Sequence, residues 1–340
     1  MEKECWKSTQ KDMEDIVAKV KNGRVSSIDS AGGRKVYIIA YGEENDLKRK
    51  ANYSSACGAR DISCYADKNS ENYRPTALVV GGMHGAECEG VMASLNLISL
   101  LESGTDLKGD RNDALLKSAE GLNLYIIPCA NPDGRARFPY QSAVGMSLKD
   151  FRYYAQGTWK DGSLCNWPEC KRVHPIIDAA DYLGAYYNDD GINMMHDNFS
   201  FPMAEETKFL LKMADKLAPD ITLLLHGCAD ARSELLMPRA VHNYFKNKAY
   251  ELSQRLFAIC NENKLPLTPS KPLYGDEEPI HSFNIVSAIT SLCGELCVVY
   301  ESNQGLLDDK GAMNSDDIYR QHMLMFETVF DFITEKRRIG

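Results

Sequence analysis

The sequence predicts an α/β fold, and three observations carry the prediction. Apolar runs of strand length recur at 76–80, 121–129, 221–225 and 296–300. Between and after them lie longer segments with apolar residues at helical spacing, among them 87–103, 203–217, 242–264 and 315–336. The strand-like runs also end in turn-forming or polar residues: Gly81-Gly82, Asn131-Pro-Asp-Gly134, His226-Gly227 and Glu301.

Size and charge narrow the class. With 340 residues, 44% of them hydrophobic, the chain can bury one large core or two smaller ones. A net charge of -9 argues against nucleic acid or an anionic membrane as partner. No stretch approaches the ~18 apolar residues of a membrane span. The charged start, Met1 to Lys7, lacks the apolar core of a signal peptide, so none is expected. The eleven cysteines are scattered and odd in number, which reads as reduced, partly buried thiols in a cytoplasmic protein. Neither Cys165 with Cys170 nor Cys293 with Cys297 has metal-pair spacing.

Taken in order, residues 8–21 place Met13, Ile16, Val17 and Val20 on one helical face, and Asn22-Gly23 ends it. Residues 24–29 and 34–41 alternate as two strands joined at Ala31-Gly-Gly33. Residues 43–74 read as a long exposed connection. After the strand at 76–80, the stretch Gly81-Gly-Met-His-Gly-Ala-Glu-Cys-Glu-Gly90 forms a turn that opens the helix ending at Ser103-Gly104. A short helix at 112–119 and a buried strand at 121–129 follow, then the turn Asn131–Gly134. Residues 135–200 are the least regular, an aromatic-rich insertion. Pro202 opens a helix to 217. A strand at 221–225, a long helix, a Pro- and acid-rich loop at 265–280, a helical segment at 281–292, a strand at 296–300 and a final helix complete the chain. There is no internal repeat.

The strand exits carry the chemistry. His84 and Glu87, three residues apart across a strand-to-helix turn, can converge on one point and offer an imidazole nitrogen and a carboxylate oxygen. His226 and Glu301 also stand beyond the carboxyl ends of strands, where ligands bind in open α/β sheets. Two histidines and a glutamate make the open three-ligand zinc set of a hydrolase. Such a site needs one further carboxylate to move protons, and Glu301 fits that need. Glu295, which precedes its strand, reads as solvated. Cys88 has no nucleophile signature around it.

The ordered set Gly-Gly-x-His84-x-x-Glu87, Asn131-Pro-Asp-Gly134, strand-His226 and strand-Glu301 resembles the zinc carboxypeptidase family of pancreatic-carboxypeptidase-like metallopeptidases. The resemblance implies a three-layer α/β/α fold around a mixed, mostly parallel twisted sheet of about eight strands. It runs from about residue 70 to 335, and the expected organisation is a catalytic domain over 71–340 with residues 1–70 an N-terminal helix, hairpin and loop packed on it. It implies one zinc ion on His84, Glu87 and His226, with Glu301 as general base and acid. It also implies an arginine for the oxyanion, chosen among Arg135, Arg137 and Arg152; Arg137 is preferred here. Asn131 and a reaching Tyr274 become substrate contacts on the same ground.

One stretch departs from the family. Where the family shows Gly-Val-Asp-x-Asn-Arg-Asn-Phe, this chain has Gly191-Ile-Asn-Met-Met-His-Asp-Asn-Phe199, with His196 or Asp197 in place of the arginine that grips a terminal carboxylate. Histidine cannot make that bidentate clamp, so His196 is a candidate substrate contact of another kind. The resulting expectation is a zinc peptidase acting near a peptide terminus, with cell-wall-derived peptides as one substrate class. An N-acyl amino acid deacylase like succinylglutamate desuccinylase and aspartoacylase, and a non-catalytic peptide-binding protein, are the alternatives.

Overall fold

The computed structural model describes residues 4–230, 232–273, 283–307 and 310–338. Helix α1 (Gln10–Val17) starts where Thr9 and Asp12 close a capping box. Strands β1 (Arg24–Asp29) and β2 (Lys35–Tyr41) form the expected hairpin. The polar connection after it holds the short helix α2 (Tyr53–Gly58). Strand β3 (Thr76–Val80) leads to α3 (Cys88–Ser103), which ends at Gly104 with φ 78°, a left-handed cap. Helix α4 (Asp113–Ala119) precedes β4 (Asn123–Ile127). The predicted Asn131–Gly134 turn is the start of a short helix, α5 (Pro132–Arg137), because Asn131 caps it and Pro132 sits at its first position.

The irregular insertion contains α6 (Leu148–Gln156) and a small hairpin, β5 (Gly157–Trp159) with β6 (Ala180–Leu183). Helix α7 (Glu205–Leu217), strands β7 (Ile221–Cys228) and β8 (Glu234–Leu236), and helix α8 (Asn243–Glu262) follow. The chain closes with α9 (Ile285–Cys293), β9 (Leu296–Asn303) and α10 (Ser315–Arg338).

The main sheet has seven strands in the order β1-β2-β4-β3-β7-β9-β8. Its centre is parallel (β4–β3, β3–β7, β7–β9), and the pairings outside it are antiparallel. The expected predominance of parallel pairs therefore holds only in the centre. The β1–β2 hairpin extends the sheet through β2, and a hairpin can only be antiparallel.

Alternation along the strands builds two cores. Ala77, Val79, Leu223, Leu225, Val298 and Tyr300 point to the layer of α1, α3, α4, α8 and α10. Leu78, Val80, Leu224, Cys297 and Val299 point to the layer of α2, α7 and α9. Strands covered on both faces are near-continuous apolar runs, and β3 and β4 are buried along their whole length, with polar residues only at their first positions, Thr76 and Asn123. One expectation fails here: Glu295 is buried, not solvated, because it immediately precedes β9 next to β7, where the Thr222 hydroxyl donates to it at 2.7 Å. No described helix is long and apolar enough to cross a membrane.

Candidate metal centre

The parallel centre sends three neighbouring strand ends to one place. β3 runs out through Gly81-Gly82 to His84, β7 carries His226 two residues before its end, and β9 carries Glu301 directly opposite His226 in register. The turn after β3 is tight: Gly82 has φ 56°, and a Cβ on Gly85 would lie 2.1 Å from the Arg135 backbone nitrogen. Helix α5 thus presses on the ligand loop. Gly85 N donates to Ala185 O at 2.7 Å and Asn131 N to Gly82 O at 2.9 Å.

Glu87 is the N-cap of α3 but makes no capping hydrogen bond. Its carboxylate turns to the histidines instead, with Oε1 2.7 Å from His84 Nδ1 and Oε2 3.0 Å from His226 Nδ1. One ligand atom from each of the three lies within 4.8 Å of the others, and all three residues are buried. Tetrahedral zinc with ligand bonds near 2.1 Å needs its ligands about 3.4 Å apart. The carboxylate would draw back from the imidazoles and the imidazoles would close in, since the three ligand atoms now span up to 4.8 Å. Glu87 Oε2 is buried and faces His226 Nδ1 at 3.0 Å without the geometry of a hydrogen bond, and it has no other partner among the described residues. The donor set, its convergence and that orphaned oxygen fit a zinc ion.

Electrostatics agree with this fit at Glu87 and His84, whereas at His226 burial is outweighed by the Glu87 charge, which raises the imidazole. Burial works against ionisation of Glu87, yet the two histidines outweigh it and hold its carboxyl down at about 2. Burial lowers His84, which keeps its imidazole neutral as a ligand must be. Asn193 Oδ1 lies 3.2 Å from His84 Nε2, and Tyr186 stacks on the same ring at 3.7 Å. If the amide oxygen accepts from Nε2, Nδ1 carries the lone pair that faces Glu87. Burial pushes Glu301 up to about 8, with His226 pulling down and Glu87 and Asp230 pushing up. Burial also pushes Cys88 up to about 12, consistent with a thiol that takes no part.

The centre lies in a cleft of about 1030 Å³ that includes His84, Glu87, His226, Glu301 and His196. Asn131 is not among its lining residues; its side chain accepts from Gly134 N at 2.8 Å. Arg137 likewise does not line the cleft, because its guanidinium is committed to Asp189 and the Tyr187 carbonyl. Arg135 is wholly buried, donating to Ser8 O and Phe138 O. Of the three arginines considered, Arg152 alone lines the cleft, with one long bond of 3.5 Å to Asn166. Tyr274 lies outside the described residues.

Sequence reasoning missed Asn193, Tyr186 and Lys171. Asn193 stands where the family stretch has its aspartate, and that correspondence was the one signal available. Lys171 comes from the insertion and donates to His196 Nε2 at 3.0 Å. Burial, then the Lys171 charge, hold His196 down at about 3, so its ring is neutral. Asp133 has a scaffold role: it accepts from Ser30 Oγ at 2.6 Å and Gly32 N at 2.8 Å, and it pairs with Arg34.

Residues 4–162 match the family model of zinc carboxypeptidases, a span that contains His84 and Glu87 and stops short of His226 and Glu301. No curated protein matches the sequence. Among solved structures, a metallo-carboxypeptidase from Burkholderia cenocepacia is similar in fold, with 12% identity, a TM-score of 0.59, and 96% of this chain and 70% of that one covered. A metallo-carboxypeptidase from Pseudomonas aeruginosa, in complex with (2-guanidinoethylmercapto)succinic acid, has 12% identity, a TM-score of 0.56, and 96% and 69% covered. Carboxypeptidase A from Helicoverpa armigera has 12% identity, a TM-score of 0.51, and 98% and 74% covered.

Proposed function

Starting from a zinc metallocarboxypeptidase-like hydrolase, we propose a peptidase that holds one zinc ion on His84, Glu87 and His226 and cuts the amide bond next to a peptide's carboxyl terminus. The observation that carries the proposal is the meeting of three ligand atoms in a cleft where Glu301 stands in register beside His226. When bound, zinc would polarise the scissile carbonyl and make water nucleophilic near neutral pH.

The chain's own residues supply the rest. Glu301 takes a proton on its carboxylate and hands it to the leaving nitrogen. Its raised pKa supports the second half of that cycle, since a carboxyl of ordinary strength holds its proton too weakly at neutral pH. Arg152 faces the cleft with little else to bind and stabilises the carbonyl oxygen as charge develops. Lys171, steadied by neutral His196 and lying over the Trp167 ring at 5.1 Å, provides the charge for a terminal carboxylate. An ammonium gives a point charge rather than a fork, so this anchor is less directional than an arginine's.

The test pairs metal analysis with Glu301→Gln. One zinc per chain is expected, lost in His84→Ala and His226→Ala. Glu301→Gln should keep the zinc while kcat falls by about 10²–10⁴. Turnover unchanged in Glu301→Gln would sink the role of Glu301, and cleavage of N-acyl amino acids but no peptide would move the activity to the deacylase class.

A further inference from the structure

The cleft continues past the metal centre along the edge of the sheet. β8 runs antiparallel to β9, with Glu234 opposite Glu301 and Leu236 opposite Val299. Residues two apart on a strand share a face, so these four side chains form one wall, and all four line the cleft. Val286, in the first turn of α9, packs in the same apolar cluster as Val299, with Leu236 against it. Leu236, Val286 and Val299 make this end of the cleft suited to a hydrocarbon stem.

Arg239 stands three residues beyond Leu236 and lines the same cleft. Its backbone is tied to α9, since Ser287 Oγ donates to the Arg239 carbonyl at 2.9 Å. Its Nη1 is buried and has no hydrogen-bond partner, and the guanidinium makes no ion pair among the described residues. The nearby carboxylate of Glu234 approaches Arg232 instead, at 3.6 Å. Arg232 itself is bound to Asp230 at 2.7 Å. A buried cationic donor left unpaired costs free energy that an anionic ligand would recover.

We infer that this lobe receives a carboxylate carried on a short apolar stem, a glutamate-like side chain of the residue being released, with Arg239 as its counter-charge. The inference rests on the peptidase reading, which puts the scissile bond beside Glu301. Arg239 is then a specificity-determining residue, and it acts separately from the cation that holds the terminal carboxylate.

The experiment has a binding arm and a turnover arm. Calorimetry on the zinc-loaded protein compares glutamate with glutamine, which differ by one charge at nearly constant shape. Glutamate should bind at least about tenfold more tightly, as a charge-assisted hydrogen bond gives. The difference should vanish in Arg239→Gln and survive in part in Arg239→Lys, which keeps the charge if the glutamine variant folds poorly. Equal affinity in the wild type, or an undiminished preference in Arg239→Gln, overturns the inference. Turnover then uses peptides ending in Glu or Gln. Cleavage of both at equal kcat/KM also overturns the inference and leaves the peptidase reading standing. Cleavage of neither, with the binding preference intact, supports the lobe and overturns the peptidase reading.

Discussion

Replacing Asn193 by Ala tests what orients the metal centre. His84 is buried, and its Nε2 lies 3.2 Å from Asn193 Oδ1. Without that acceptor a buried N–H is left unpaired, at a cost of about 1–3 kcal/mol, or about 5- to 150-fold in an equilibrium. Loss of an outer hydrogen-bond partner typically weakens metal binding about 10- to 100-fold, which overlaps that range. The Tyr186 ring, stacked on His84 at 3.7 Å and 23°, still holds the imidazole plane, so the lower part applies. Zinc affinity should therefore fall about 10- to 30-fold, read by competition with a chelator of known affinity. The substitution also removes the side-chain acceptor for Met195 N at 3.0 Å, so a fall alone would not separate the histidine contact from a loosened turn. Asn193→Asp separates them, because it restores both acceptors and should bring zinc affinity back to within about threefold of wild type or better. Wild-type affinity in Asn193→Ala would refute the reasoning.

Three other outcomes are expected. Arg152→Gln should lower kcat by about 10²-fold or more with zinc retained, as loss of an oxyanion donor does, while Arg137→Gln should act through stability because its partners are Asp189 and a carbonyl. A larger kcat effect at Arg137 than at Arg152 would reverse the assignment. Asp133→Ala removes the acceptor of Ser30, Gly32 and Arg34 and should cost about 2–4 kcal/mol in denaturant unfolding, with zinc affinity unchanged. The metal-free protein should lose stability as pH rises from about 6.5 to about 8. Burial raises Glu89 and Glu301 to about 8 and raises Glu295 as well, so the folded state favours their protonated forms and that contribution fades as pH climbs to about 8. The buried histidines His84, His196 and His322 are held down and act in the opposite sense, but only below about 6.5; a metal-free Tm that rises between about 6.5 and 8 contradicts the shifts.

The convergence of His84, Glu87 and His226 was legible because each is fixed by short-range pattern. A glycine turn after β3 brings His84 and Glu87 together within four residues, and β7 and β9 are apolar runs whose ends are plain in the sequence. Register then does what no motif states: parallel pairing sets Glu301 opposite His226 across 75 residues of chain. The walls of the cleft were much less legible. Lys171 and Tyr186 belong to the irregular insertion, where position follows from packing rather than periodicity. Arg137 was preferred for its nearness to Asn131-Pro-Asp-Gly134, but once that turn proved to be helix α5 the guanidinium faced Asp189. Arg239 carries no motif at all. It matters only because β8 folds back along β9 and because its Nη1 is buried without a partner.

The charge of the cleft differs from that of the chain, and this difference leads to a last prediction. The whole protein carries -9. Among the described residues the cleft is lined by five cationic side chains (Arg152, Lys171, Arg232, Arg239, Lys271) against four carboxylates, Glu87, Asp230, Glu234 and Glu301. With every one of these carboxylates ionised the described lining is positive by one, and a zinc dication would raise the excess to three. A positive recess in an acidic protein repels anions at long range and attracts them at short range. Salt screens both, but surface charges at a distance are screened first, because the Debye length shrinks from about 30 Å at 0.01 M to about 10 Å at 0.1 M. Capture of a peptide ending in glutamate should therefore gain or hold kcat/KM as salt rises through about 0.1 M, where long-range repulsion is screened out. It should fall beyond about 0.3 M, where contacts inside the cleft are weakened too. A peptide ending in glutamine should show the same shape with a smaller fall. A steady decline for both peptides from the lowest salt onwards would mean that the acidic surface does not reach the substrate, and equal declines at high salt would mean that the cations of the cleft do not hold its side chain.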